Sequence, residues 1–409
     1  MSDFYQNGVV TTLHRFNADG LERLETELKW YSRTRPVGLV LPALYSEFET
    51  PAMRRIVAEL ERVDYLRQTV LVLARANRQQ YERACRHFDN FTHPVTVIWV
   101  DSPRVQSLFQ RIEDCGLSAG IDGKGRSCWL AYGYLLACGD CDVIVSHDCD
   151  ILNYSRQFLA RLCYPVVNPN LDFEFCKGYY ARVTDRLHGR VTRLFMTPLI
   201  RALKDLAPGT KLLKFLDSFR YPLSGEFAMT TNLARVNRIP WDWGLEIGVL
   251  AEVYRNVSPT RTCQVDLADN YDHKHQELSA EDASRGLRRM CCDIAKTLFR
   301  TLAAEGVVLA DGLFHSLEVR YLRMAEDTLD RYYADAMLNG LEFDRHVEEV
   351  AVDTFAHSLR EAAGDYQRNP LGHELIPNWN RVIAASPNFF DLLLEAVELD
   401  ASVVQPAVA

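Results

Sequence analysis

No apolar run in the 409 residues approaches the roughly 20 needed to span a bilayer. The opening MSDFYQNGVV lacks the basic and apolar regions of a secretory leader, so a cytoplasmic location and no membrane partner are expected. Basic residues are in the minority. Lys and Arg number 46 against 55 Asp and Glu, a formal net charge of −9. That balance excludes the broad basic surface of a non-specific nucleic-acid binder but leaves room for local positive charge around an anionic substrate. The cysteines form no evident disulfide framework: there are 11, an odd number scattered along the chain, as expected of reduced thiols. One CxxC occurs, Cys138 to Cys141, with no second pair to complete a structural zinc site. It precedes a strand pattern, whereas a redox CxxC follows one, so a structural role is expected. There is no GxxxxGK[ST] phosphate loop, internal repeat or low-complexity tract.

What is present is a pattern of short apolar runs alternating with helical spacing. The runs are VGLVLPAL (37–44), TVLVLAR (69–75), VTVIWVD (95–101) and DVIVSHD (142–148). Their near-continuous Val, Ile and Leu content predicts parallel strands covered on both faces. Between them, Ile56, Leu60 and Val63, and then Val105, Leu108 and Ile112, recur at helical spacing. Strand–helix alternation implies an open α/β sheet that binds ligands beyond the carboxyl ends of its strands. After residue 150 the pattern is mixed, with strands expected at 173–183 and 261–268 and a helix over 189–206 interrupted by a proline-containing stretch. From 279 onward the chain reads as helical, either a cap or an oligomer contact.

Chemistry concentrates where these runs end. Asp148 and Asp150 follow the fourth run at i, i+2, which in extended chain puts both carboxylates on one side. Paired oxygen ligands at such a point suit Mg2+ or Mn2+ shared with a phosphate, and equally occur in a solvated strand-end turn. Gly123 and Gly125 flank Lys124 before a helical pattern, a turn able to offer N–H groups and an ammonium to a diphosphate, or an ordinary helix start. His273 and His275 share the i, i+2 spacing after an apolar strand and can complete a metal shell or lie in a polar surface turn. Arg190 can grip a carboxylate or phosphate, with Thr192 adding a donor. The glycine of PLSGEFAM (222–229) suggests a tight turn near a ligand. Glu246 opens an apolar helix, where a carboxylate needs a task or a helix N-terminus to face.

In this order LVLPALYSE, GKG, HDCD, GRVT, PLSGE, WGLEIG and HKH resemble the glucosyl-3-phosphoglycerate synthase family of retaining GT-A glycosyltransferases, over about residues 38–275. The resemblance implies an α/β GT-A glycosyltransferase domain (1–280), made of a Rossmann-like nucleotide-binding sheet (35–150) and a mixed acceptor-binding half (151–280), followed by a helical C-terminal extension (281–409). It implies a nucleotide-sugar donor, UDP-glucose, and a phosphoglycerate acceptor. Pro42, Ala43, Leu44 and Glu47 match the nucleoside-contacting stretch, although the family's ALNEE reads ALYSE here. Lys124, Asp148 and Cys149 fall at the donor diphosphate, and Asp150 and His273 at the metal, Mg2+ or Mn2+. Gly189, Arg190, Val191, Thr192 and His275 match the acceptor clamp, with His275 in the place of the asparagine of the family's HRN. Glu246 matches the active-site carboxylate, and the resemblance implies that Asp148 and Lys124 are catalytic with it. The family further implies a homodimer and a product that leads to a compatible solute.

Retention with a single obvious carboxylate points to same-face attack, with the leaving phosphate taking the acceptor proton and Glu246 orienting the sugar or stabilising positive charge. A GDP-sugar donor or unphosphorylated glycerate would need only modest changes to this site. Two rival readings share the DxD: a phosphohydrolase with Asp148 as nucleophile, which needs a downstream acidic pair, and a binding protein that holds UDP without turnover.

Overall fold

A computed structural model describes residues 6, 8–17, 19–272 and 286–402. Eight strands form one sheet: β1 (Thr11–Leu13), β2 (Val37–Leu44), β3 (Leu66–Ala74), β4 (Val95–Trp99), β5 (Val143–Ser146), β6 (Phe175–Tyr180), β7 (Phe227–Thr230) and β8 (Thr262–Ala268). Their order is β1-β8-β6-β7-β5-β2-β3-β4. The four apolar runs read from sequence are β2 to β5, and they pair in parallel. Successive side chains of a strand point to opposite faces, and the core divides accordingly. Leu39 and Leu41 of β2 join one apolar cluster with Met53, Ile56 and Leu159, while Val40 joins the other with Val105, Trp129 and Leu135.

The break in the parallel pattern is what builds a site. Strand β7 runs antiparallel to both β5 and β6. Ser146 pairs with Phe227, so the residues just after β5 face those just before β7. The chain therefore sets His147 and Asp148 against Gly225 and Glu226. Strand β6 arrives from the other side, with the Gly178 N–H donating to the Glu226 carbonyl at 2.8 Å.

Two expectations are revised. The 189–206 segment is a π-helix, Val191–Met196, running into an α-helix, Thr197–Leu206, whose first turn contains Pro198. Because the preceding turn is already helical, Pro198 removes an N–H that the Leu194 carbonyl would otherwise receive, and that carbonyl instead accepts from the Tyr321 hydroxyl at 2.8 Å. Secondly, β5 ends at Ser146 and the chain bends at Cys149, so Asp148 and Asp150 do not lie on extended strand. Both are half-buried on either side of a buried Cys149, so the alternation survives the bend. Cys138 closes the helix Lys124–Cys138, and Gly139, at φ 68°, turns the chain back toward β5. All the cysteines are free thiols.

Candidate active site

Lys124 is the hub. It opens the helix Lys124–Cys138, and its Nζ donates to Asp148 Oδ1 at 2.6 Å and to Glu246 Oε1 at 3.0 Å. Glu246 lies in the first turn of the helix Leu245–Asn256 and is buried. Three residues 24 to 122 positions apart in sequence thus meet at the carboxyl end of β5. The glycines of GKG are explained by packing. A Cβ on Gly123 would sit 2.5 Å from the Trp241 carbonyl oxygen, and one on Gly125 2.0 Å from that of Pro240. These two residues let the start of the Lys124 helix press on the segment that leads into the Glu246 helix.

Gly225 makes a second close approach. A Cβ there would lie 2.4 Å from Asp148 Oδ2. The neighbouring Glu226, fully buried, was not singled out as a chemical group by sequence reasoning, although the SGE turn was. It accepts from the Tyr180 hydroxyl at 2.8 Å, from Ser224 Oγ at 3.0 Å and from the Asp148 N–H at 3.4 Å. Burial pushes its carboxyl up, but His147, the Tyr271 hydroxyl, Lys124 and the Tyr180 hydroxyl hold it below the ordinary glutamate value. Burial pulls the His147 imidazole down to about 4, so it is neutral near pH 7 and the hydrogen bonds and Lys124 hold the charge there. Lys177, also buried, donates to the Ser224 carbonyl at 2.6 Å, and burial pulls its ammonium down to about 8 despite Glu246 and Glu226. No sequence signal marked Lys177, because it lies within a strand that reads simply as apolar.

The remaining expected residues fall around this cluster. Pro42, Ala43 and Leu44 end β2, and Glu47 follows in a short 3-10 helix, Tyr45–Glu49. Burial, then Asp148, Asp150 and Glu47, push the Cys149 thiol far up, with Lys124 opposing them, which places these four groups about one residue. The Cys149 side chain packs in the apolar core, so any ligand contact it makes falls to its backbone. Gly189 takes φ +72°, and a Cβ there would meet the Tyr221 hydroxyl at 3.3 Å. Tyr221 packs on Tyr180, whose hydroxyl holds Glu226, so the Gly189 turn stands one aromatic pair from the carboxylate cluster. Val191 and Thr192 are buried in the π-helix. His273 and His275 lie outside the described residues. The backbone carbonyl of Asp272, which precedes them, accepts from the Leu152 N–H at 2.8 Å, and the Asp272 N–H donates to Asn153 Oδ1 at 3.0 Å.

The residues present fit a hard divalent cation. Burial pushes the Asp148 carboxyl up to about 6, against the pull of Lys124 and with Glu226 and Asp150 adding to the rise. A carboxylate so placed is short of positive charge, and oxygen donors favour Mg2+ or Mn2+. Among the described residues no three His, Cys, Asp or Glu side chains converge as a metal cage.

No family model matches the chain. The glucosyl-3-phosphoglycerate synthase of Persephonella marina is 49% identical over 402 residues, which cover 98% of this chain and all of that protein. The enzyme of the same name from Methanococcoides burtonii is 40% identical over 403 residues, 97% of this chain and 98% of its own. This chain belongs to the glucosyl-3-phosphoglycerate synthase family. A crystal structure of the Mycobacterium tuberculosis glucosyl-3-phosphoglycerate synthase in complex with Mn2+, UDP-glucose and phosphoglyceric acid shares the fold, with a TM-score of 0.54 at 22% identity, over 74% of this chain and 90% of that one. Membership of the synthase family makes the chain a glycosyltransferase, and the phosphohydrolase and binding-only readings fall away.

Proposed function

We propose that the chain moves glucose from UDP-glucose to 3-phosphoglycerate with retention of configuration, releasing UDP and making glucosyl-3-phosphoglycerate for a compatible solute. The observation that carries this reading is the Lys124 bridge between Asp148 and Glu246 at the carboxyl end of β5, in a chain with near full-length relatives of that name. In this reading residues 35–150 serve the donor, 151–280 the acceptor, and 281–409 form the helical extension.

Asp150 and His273, with Asp148 beside them, would hold Mg2+ or Mn2+, which when bound supplies Lewis-acid neutralisation of charge on the departing diphosphate. Pro42, Ala43, Leu44 and Glu47 contact the nucleoside. Lys124 places an ammonium beside the same diphosphate, and its pairing with Asp148 fixes that ammonium before the donor arrives. Burial lowers the Lys124 ammonium, yet Asp148 and Glu246 raise it well above its usual range, so it stays charged through the reaction. Arg190 and Thr192, with Gly189, Val191 and His275, hold the phosphoglycerate so that its hydroxyl faces the anomeric carbon, which is catalysis by proximity. Glu246 is tied to Lys124 and buried, which suits orienting the sugar and stabilising positive charge better than forming a covalent bond. The acceptor proton then goes to the leaving phosphate on the same face.

A cytoplasmic location and a homodimer belong to the same reading. Free thiols suit a reducing compartment. Val319 and Leu338 on the helix Asp311–Leu338 are 71% and 85% exposed, which supports a subunit contact there. No helix among the described residues is long and apolar enough to cross a membrane.

Incubating the purified protein with UDP-glucose, 3-phosphoglycerate and Mn2+ tests the reading. UDP release and an α-linked product by proton NMR are expected. No release from any nucleotide sugar in a donor panel would overturn it, and a β-linked product would overturn retention alone.

A further inference from the structure

The helical C-terminal region reaches the acceptor side of the site through one buried carboxylate. Glu348 lies on the helix Arg345–Arg368 and is 5% exposed. It accepts from Arg190 Nε at 2.7 Å and from Arg193 Nη2 at 2.9 Å. The two arginines are not equivalent. Arg193 is buried, and it also donates to the carbonyls of His188 at 2.8 Å and Leu187 at 3.2 Å, so it is committed to holding the turn before Gly189. Arg190 is 30% exposed and lines a solvent-open cavity of about 730 Å3 with Arg186, Arg345, His346 and Glu348. A second tie fastens the same region nearby: the Glu342 N–H donates to the Asp185 carbonyl at 2.8 Å, and Arg186 pairs with Glu342 at 2.6 Å.

The charge arithmetic favours a positioning role. Two guanidinium groups share one carboxylate, which leaves the trio a single positive charge. Glu348 engages Arg190 through Nε, and a guanidinium with one N–H so used retains donors enough to receive a carboxylate or phosphate. A long arginine otherwise spends rotamer entropy when it binds, and fixing it beforehand removes that cost from the acceptor. The π-helix that begins just after Arg190 widens the backbone at this point, a feature often found where a helix serves a site.

We infer that Glu348 is a positioning residue for the acceptor: it clamps Arg190 against Arg193 so that the guanidinium stands ready for the phosphoglycerate anion. This rests on the reading of Arg190 as an acceptor contact. Steady-state kinetics on wild type, Arg190→Gln, Glu348→Gln and Glu348→Asp test both together, with KM measured separately for UDP-glucose and 3-phosphoglycerate. Glu348→Gln is expected to raise the acceptor KM about tenfold, the loss of one charge-assisted contact, and to leave the donor KM within about twofold. Glu348→Asp, which keeps the charge, is expected to fall between. If Arg190→Gln leaves the acceptor KM unchanged, the acceptor reading fails and the inference with it. If Arg190→Gln raises that KM while Glu348→Gln does not, the inference alone is wrong, as it is if Glu348→Gln lowers it. Should Glu348→Gln fail to fold, the aspartate variant decides, and an acceptor KM equal to wild type there overturns the inference.

Discussion

Gly225 stands where Asp148 leaves no room for a side chain. A methyl at that position would lie 2.4 Å from the Asp148 carboxylate oxygen, so Gly225→Ala must move either the turn or the aspartate. A displacement near 1 Å can cost about 100-fold in rate, and a loss of that order in kcat/KM is expected with the fold retained, read by turnover beside a thermal melt. His147 makes a different demand. Its imidazole is pulled down by burial to about 4, against about 6.5 in unfolded chain. Between those values the unfolded chain binds the extra proton more readily. The stability His147 contributes is therefore complete above about pH 6.5 and is lost as the pH falls toward 4. Melting temperatures of wild type and His147→Gln from pH 7 to 4.5 check this: the wild type should lose ground to the variant as the pH drops. The residues legible from sequence were those whose type is odd for its surroundings, such as Asp148 and Asp150 after an apolar run and Glu246 opening an apolar helix. Glu226 and Lys177 were not legible, because their meeting depends on which strands become neighbours.

At the scale of elements, the parallel half of the sheet was readable because strands covered on both faces are continuous apolar runs. Val37–Leu44 appears with the bounds its composition predicts. Strand β7 spans only Phe227–Thr230, too short to show a period, and its antiparallel insertion is what brings the SGE turn to Asp148. The π-helix was equally hidden, since its sequence has ordinary helical spacing. Packing of the helix Lys124–Cys138 shows why its middle contains Gly133. A Cβ there would lie 2.1 Å from the Trp379 ring, and Trp379 stacks on Trp129 with centroids 4.0 Å apart. Trp379 is fully buried, and Trp379→Ala is expected to cost about 3–5 kcal/mol, as large aromatic truncations in cores do. Chemical denaturation measures this, and a loss below about 1 kcal/mol would show that the stack is not what anchors the Lys124 helix.

For the whole molecule, the helices after residue 286 complete one of the two faces of the sheet. Phe299, Tyr321, Phe355, Trp379 and Leu393 share a single cluster with Val40, Val70 and Ile98 of the central strands. Sequence alone offered a cap or an oligomer contact for this region, because amphipathic helices do not declare which surface they cover. Placed against the sheet, they buttress the Lys124 helix through Trp379 and reach Arg190 of the proposed acceptor clamp through Glu348. All of this scaffolding serves the proposed charge arrangement at the end of β5, in which Asp150 lets a divalent cation and the donor's diphosphate bind together. Calorimetric titration of UDP-glucose into wild type and Asp150→Ala, each with Mn2+ and with EDTA, measures that coupling directly. Binding by the wild type should depend strongly on Mn2+, while the folded variant should bind weakly and equally in both conditions; full Mn2+-dependent binding by Asp150→Ala would contradict the proposed site.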